Sequence, residues 1–195
     1  MDLEFLDQQL LEGRRASEVP NLPDAAWNRI ATTIAGEVEG LATDAVALLL
    51  HSLPVAPERY REELVAFQAW MNLAHDHRDN PVVVRAQVMT QLYVSFVWLR
   101  DSVMRPVAAA LPPDSVFVTV EDFLRTGQRR LLRNAIAHGR WCYLPDFSGL
   151  EYWAEPTRGV APSRYEVSGE DLETWQLLSR GTAIAALLAL EEHRR

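Results

Sequence analysis

Arg133, Asn134 and His138 are the residues whose types and spacing could do chemistry together. Arginine carries a permanent charge that suits phosphoryl oxygens, and imidazole titrates near neutrality, as proton transfer requires. On a helix, Asn134 and His138 are four residues apart and stack on one face, with Arg130 one turn before them. Arg133 lies five residues before His138, about 140° round the axis. Within one regular helix those two side chains do not touch. They can converge on a bound group if the helix ends at His138, for which Gly139 is a natural terminator, or if two copies of the segment face each other.

Charge singles out the same stretch. The chain carries 19 arginines, no lysine and 27 acids, for a net charge of −8, which argues against a general polyanion binder. From Phe123 to Pro145 there are five arginines (Arg125, Arg129, Arg130, Arg133 and Arg140) and no acid, so the remainder holds 14 arginines against 27 acids, a net of −13. One basic island on an acidic body predicts a local anion site, to which Arg129, Arg130 and Arg140 would contribute. The plainer alternative is a solvated helix face whose Asn134 and His138 merely cap the turn.

Other candidates are weaker. In His75-Asp76-His77, residues two apart point to different sides of a helix, whereas helical zinc ligands come at i, i+4. His75 and Asp79 have that spacing, but a polar helix end explains them, and no metal or cofactor is expected. His51 reads as a helix C-terminal partner, and His193 with Arg194 and Arg195 as an exposed tail. Cys142, the only cysteine, reads as a packed thiol. Gly36 and Gly40 have the spacing of a close helix contact. Trp141, Tyr143, Tyr152 and Trp153 could stack on bases, or form the core of a hairpin.

The elements that must position these residues follow from periodicity and punctuation. After an acidic N-terminal helix and a loop at Pro20 and Pro23, Asp24 opens a helix with Trp27, Ile30, Ile34, Val38, Leu41, Ala45 and Leu48 on one stripe, ended by Pro54 and Pro57. A second helix starts near Glu58 and carries Tyr60, Leu64, Phe67, Met71 and Ala74. Asn80-Pro81 opens a third, with Val84, Val88, Leu92, Phe96, Leu99 and Val103 inward and a stop near Pro106. Thr119-Val120-Glu121-Asp122 reads as the capping box of a fourth, which buries Leu124, Leu131, Leu132, Ala135 and Ile136 and ends at Gly139. Trp141 to Tyr143, Leu150 to Trp153 and Tyr165 to Val167 are short and aromatic or β-branched. Pro145, Gly149, Pro156 and Gly159 separate them, so a hairpin or three-stranded sheet is expected over about 140–167. Ser168 to Asp171 cap the last helix, with Leu172, Trp175, Leu178, Leu187 and Ile184 or Ala183 inward. The expected fold is mainly α: one domain over 1–195, an up-and-down helical bundle with a small β insertion before the C-terminal helix.

The segment Leu132-Arg133-Asn134-Ala135-Ile136-Ala137-His138-Gly139 resembles the signature of HEPN domains, in which an arginine and a polar residue, often asparagine, precede a histidine. That resemblance implies a helical bundle, commonly dimeric, whose members include metal-independent ribonucleases. Two motifs would meet across the dimer interface to form one composite site. It further implies that Arg133 holds the scissile phosphate, that His138 transfers a proton at the ribose 2′-hydroxyl, and that Asn134 orients one or the other. The products would be a 2′,3′-cyclic phosphate and a 5′-hydroxyl. The aromatic-rich stretch after Arg140 departs from the simplest layout of that family.

The expected function is therefore a metal-independent endoribonuclease in a toxin or defence setting, with RNA as substrate, Arg129, Arg130 and Arg140 as RNA contacts and a second copy as partner. The resemblance also implies a cognate antitoxin of nucleotidyltransferase type. The alternatives are a catalytically inactive member that binds RNA or nucleotides or serves as a regulatory scaffold, and a pure interaction module. The start Met1-Asp2-Leu3-Glu4 has no basic n-region, the apolar runs are short, and the lone cysteine suits a reducing compartment. A cytoplasmic protein without a membrane partner is expected.

Overall fold

Residues 24–75, 80–145 and 148–194 are described by the structure, a computed structural model. Its chain is mainly α-helical, with a three-stranded sheet inserted before the C-terminal helix. The expected N-terminal helix and the cluster formed by Asp76, His77 and Asp79 lie outside the described residues.

Helix α1 (Asp24–Glu39) buries Ile30, Ile34 and Val38. The stripe expected to run on to Leu48 breaks at residues 40–42, where Ala42 is extended, and α2 (Thr43–Ser52) sets off in a new direction. Val46 and Leu49 become its buried positions and Leu48 is 72% exposed. Gly36 would meet open space if it carried a side chain, so the Gly36/Gly40 spacing does not mark a helix contact. The close approach lies elsewhere: the Trp27 ring sits directly over Gly181 and leaves no room for a β-carbon there.

Helix α3 (Pro57–His75) is followed by Asn80, whose side chain accepts a hydrogen bond from Val82 N at 3.0 Å and caps α4. Helix α4 begins as Pro81–Tyr93, widens through two π-helical stretches (Val94–Trp98 and Arg100–Met104), and ends as Arg105–Ala110. It does not stop at Pro106. The wide π turns just before it relieve the clash of the proline ring with the preceding carbonyls. Ser102 O, four residues before Pro106, accepts a hydrogen bond from Tyr60 Oη at 3.3 Å. Val82–Ala110 is long and apolar enough to cross a membrane by length and composition. About 33% of its most apolar stretch is buried in the protein, including Leu92 and Leu99, and it carries Arg100, Asp101 and Arg105, which a bilayer would penalise.

Helix α5 (Val116–Arg125) starts earlier than the expected capping box. Ser115 is the cap, accepting from Val118 N at 3.1 Å, and Thr119 lies inside the helix with its hydroxyl donated to Ser115 O. The Glu37 carboxylate closes the same helix end from α1, accepting from Val116 N and Phe117 N at 2.5 and 3.0 Å. Thr126 is extended and Gly127 has φ +55°, so the predicted fourth helix is two helices, α5 and α6 (Gly127–Ala137). The apolar face of α6 is buried as its periodicity requires: Leu131, Leu132, Ala135 and Ile136.

Strands β1 (Trp141–Tyr143), β2 (Gly149–Ala154) and β3 (Ser163–Ser168) form an antiparallel sheet in that order, with Tyr152 opposite both Trp141 and Tyr165. Tyr152 is fully buried, stacks on Tyr165 at 5.5 Å between ring centroids, and donates to Gln128 O at 3.3 Å. Trp141 and Tyr143 meet edge to face at 5.5 Å. Most of the aromatic cluster is therefore hairpin core, whereas Trp153 is exposed. Cys142 is also exposed, contrary to the packed thiol expected, because β1 turns alternate residues outward. Ser168 caps the long α7 (Gly169–Glu192) by accepting from Asp171 N at 3.0 Å. Ala183 faces inward and Ile184 outward on α7. His193 and Arg194 are exposed, as expected of a tail, and are also held: His193 Nε2 lies 3.1 Å from Val38 O, and Arg194 pairs with Glu58 at 2.6 Å.

Candidate functional site

The end of α6 is a Schellman turn. His138 caps the helix, Gly139 takes the left-handed conformation at φ +65°, and Arg140 N donates back to Ala135 O at 2.8 Å. Gly139 N donates to Ile136 O at 3.1 Å. The chain then joins the sheet at once, Arg140 O accepting from Trp153 N at 2.9 Å. The turn thus projects His138 and Arg140 toward β2 while the body of α6 stays in the core.

Two clefts result, one on each side of α6. On the sheet side, Asn134, His138 and Arg140 line a cleft of about 250 Å³ with Trp153 and Glu155. The His138 side chain is exposed and makes no hydrogen bond among the described residues. Arg140 has a loose ion pair with Glu155 at 3.9 Å. On the other side, Arg133 lines a cleft of about 520 Å³ with Arg100, Asp101 and Arg105 of α4 and Glu121 and Arg125 of α5. Arg133 is paired with Asp101 there, and its Nη1 donates to Asn134 Oδ1 at 3.1 Å.

Arg133 and His138 are therefore not brought together within the chain, as the 140° offset requires. Asn134 links them: its amide oxygen holds the Arg133 guanidinium, and its residue lines the cleft of His138. The three arginines expected as RNA contacts are all engaged. Arg129 donates to Phe123 O and lies 3.6 Å over the Phe123 ring and 5.6 Å from the Trp175 ring, so it packs on the core by cation–π contact. Arg130 donates to Pro156 O at 2.8 Å and holds the loop after β2. The acid-free island is acid-free only in sequence, because Asp101, Glu121, Asp122 and Glu155 meet its arginines in space.

Burial shapes the charged cleft. Glu121 is buried, and desolvation pushes its carboxyl above the usual range, partly offset by Arg100 and Arg125. Burial likewise lowers Arg100, offset by Glu121. On the sheet side, burial raises the hydroxyl of Tyr143, and that of Tyr152 to about 12. Among the described residues, no group of three histidine, cysteine or acidic side chains could hold a metal ion.

Periodicity did not point to Arg100, Asp101, Arg105 and Glu121, nor to Trp153 and Glu155 as neighbours of His138. One signal was available: Arg100-Asp101 interrupts the apolar run from Val94 to Val107, where charge needs a reason. Comparison of the chain with protein-family models, with curated proteins and with solved structures gives no match.

Proposed function

We propose that the protein is a metal-independent endoribonuclease of the HEPN type, working at a composite site between two copies. The observation that carries this reading is the arrangement around Asn134: an exposed imidazole at the end of α6, one turn from an amide that grips a guanidinium. Each protomer then supplies a phosphate-binding half and a proton-transfer half on different sides of one helix. A two-fold axis beside α6 sets the Arg133 of one protomer toward the His138 of its partner. The imidazole takes the proton of the ribose 2′-hydroxyl and the 2′-oxygen bonds to phosphorus. The bond from phosphorus to the 5′-oxygen breaks, and that oxygen takes a proton from the second imidazole. Arginine stabilises the charge that builds on the phosphoryl oxygens. A toxin or defence role, and an antitoxin of nucleotidyltransferase type, belong to the same reading.

The test is cleavage of pooled RNA in excess EDTA, with light scattering in parallel. Cyclic-phosphate and 5′-hydroxyl ends and a dimeric mass are expected. A strict requirement for Mg²⁺, or full activity in a monomer, removes the mechanism. A second reading is favoured by one observation: Asp101 already holds Arg133, as in a structural ion pair. It makes the protein a non-catalytic RNA- or nucleotide-binding relative, and intact RNA bound without cleavage is its signature.

A further inference from the structure

The cleft between α4, α5 and α6 is lined by four arginines and two carboxylates, and with Asp122, which pairs with Arg125, the local charge is +1 in a chain of net −8. Its guanidinium groups are incompletely used. Arg100 is mostly buried, with only 18% of its side chain exposed, yet the nearest carboxylate oxygens of Asp101 and Glu121 lie 3.6 and 3.7 Å away, beyond short hydrogen bonds. The Nε atoms of Arg100 and Arg133 are both buried without a hydrogen-bond partner. Two orphaned donors within residues that line one cleft are costly, and a buried donor left unmade needs an explanation. The Arg105 side chain, exposed at the rim, makes no hydrogen bond or ion pair among the described residues and acts on Glu121 only at longer range. Arg100 and Asp101 sit in a π-helical stretch, which turns two consecutive charged side chains into the cleft lining. An ion-pair network built only to join three helices would place its carboxylates within hydrogen-bond reach of Arg100 and would not leave Arg105 over.

We infer that this cleft is a binding site for a phosphoryl dianion, held by Arg100 and Arg105 from α4 together with Arg133 from α6. A tetrahedral oxyanion offers several acceptors to forked guanidinium donors, which suits the loosely held terminal nitrogens of Arg100 and the guanidinium of Arg105. Glu121 opposes the ligand and sets an upper limit on its affinity while keeping Arg100 and Arg125 in place. The same chemistry is presented by the terminal phosphate of an RNA strand and by a free nucleoside monophosphate. The inference rests on the reading above only in giving Arg133 a phosphate to hold.

The test is calorimetric titration of the full chain with inorganic phosphate at constant ionic strength, with chloride as the reference anion. One phosphate per chain is expected. Arg100→Gln and Arg105→Gln should each weaken binding about ten- to a hundredfold, as loss of charge-assisted hydrogen bonds does. Glu121→Gln should tighten it about two- to tenfold by removing a like charge. Arg59→Gln, on the exposed face of α3, should leave it unchanged. If Arg100→Gln fails to fold, Arg105→Gln decides, since that exposed side chain makes no hydrogen bond or ion pair among the described residues. Phosphate binding no stronger than chloride, or unchanged in Arg105→Gln, overturns the site. A 5′-phosphorylated oligoribonucleotide and a nucleoside monophosphate then compete against phosphate, and the tighter one identifies the source. Displacement by neither overturns the site. Phosphate binding in a protein that cuts no RNA leaves the cleft standing and removes the nuclease reading. RNA cleavage without Arg105-dependent phosphate binding does the reverse.

Discussion

On the side of α6 that faces α4 and α5, Arg133 enters a half-buried network of guanidinium and carboxylate groups. On the side that faces β2, His138 and Arg140 stand at the surface of a small cleft. The two sides differ in what holds their groups in place. Asp101 and Asn134 fix Arg133 through its own charge, so its function and its contribution to the fold cannot be separated. His138 is placed by backbone alone, through the Schellman turn and the hydrogen bond from Trp153 N to Arg140 O. Its side chain is free to act without supporting anything. A substitution on the first side should therefore disturb stability and function together, and one on the second should separate them.

The largest expected effect exploits that contrast. His138→Ala should cut RNA cleavage by about 10²–10⁴-fold, the usual worth of positioned proton transfer, with no change in melting temperature. Arg133→Ala should lose activity to a similar degree and also melt lower, because the ties from α6 to Asp101 and to Asn134 are both lost. Cleavage rates and thermal melts of the two variants side by side check this. Equal destabilisation by both would erase the distinction between the two sides.

Next in size is the turn itself. Gly139 has φ +65°, and an L-residue there is strained by about 1–2 kcal/mol. Gly139→Ala should lose that much in chemical denaturation and displace His138 and Arg140. Phosphate binding in the cleft beyond Arg133 should be retained. Loss of phosphate binding would show that the two clefts are coupled through α6.

The smallest effect concerns the sheet that backs the His138 cleft. Tyr152→Phe removes the hydrogen bond to Gln128 O and should cost about 1 kcal/mol at neutral pH. The pH dependence has a definite sign. Burial holds the Tyr152 hydroxyl protonated up to about 12 in the folded chain, against an ordinary value of 10. Between those values the unfolded chain ionises first and binds fewer protons, so stability is full below pH 10 and falls as pH rises toward 12. Denaturation midpoints between pH 9 and 12 should slope downward in the wild type and less steeply in Tyr152→Phe. Parallel slopes would mean that another group sets the alkaline limit.

Much of this arrangement was legible in the residues. The mainly α class, the caps at Asn80 and Ser168, the buried face of α6, the stop at Gly139 and the three short strands all follow from patterns that span a few residues. Each is governed by local geometry, in which residue types three or four apart meet on a helix and residues two apart share a face of a strand. The separation of Arg133 from His138 was legible for the same reason. It is a statement about one helix.

Tertiary packing decided what periodicity could not reach. The helix breaks at residues 40–42 and at Thr126 redirect apolar stripes that continue unbroken in sequence, and Leu48 is exposed as a result. Helix α4 passes through Pro106 because Tyr60, 42 residues before Ser102, satisfies that carbonyl. Above all, the core of the basic island meets an acid only in three dimensions: Asp101 reaches Arg133 across 32 residues, from another helix, whereas Glu121 and Asp122 are local neighbours of Arg125. Side-chain charge acts through space at a few ångströms, whereas a sequence orders charges only along the chain. Which arginines are paired, and which are left with donors to offer an anion, is set when α4, α5 and α6 pack together.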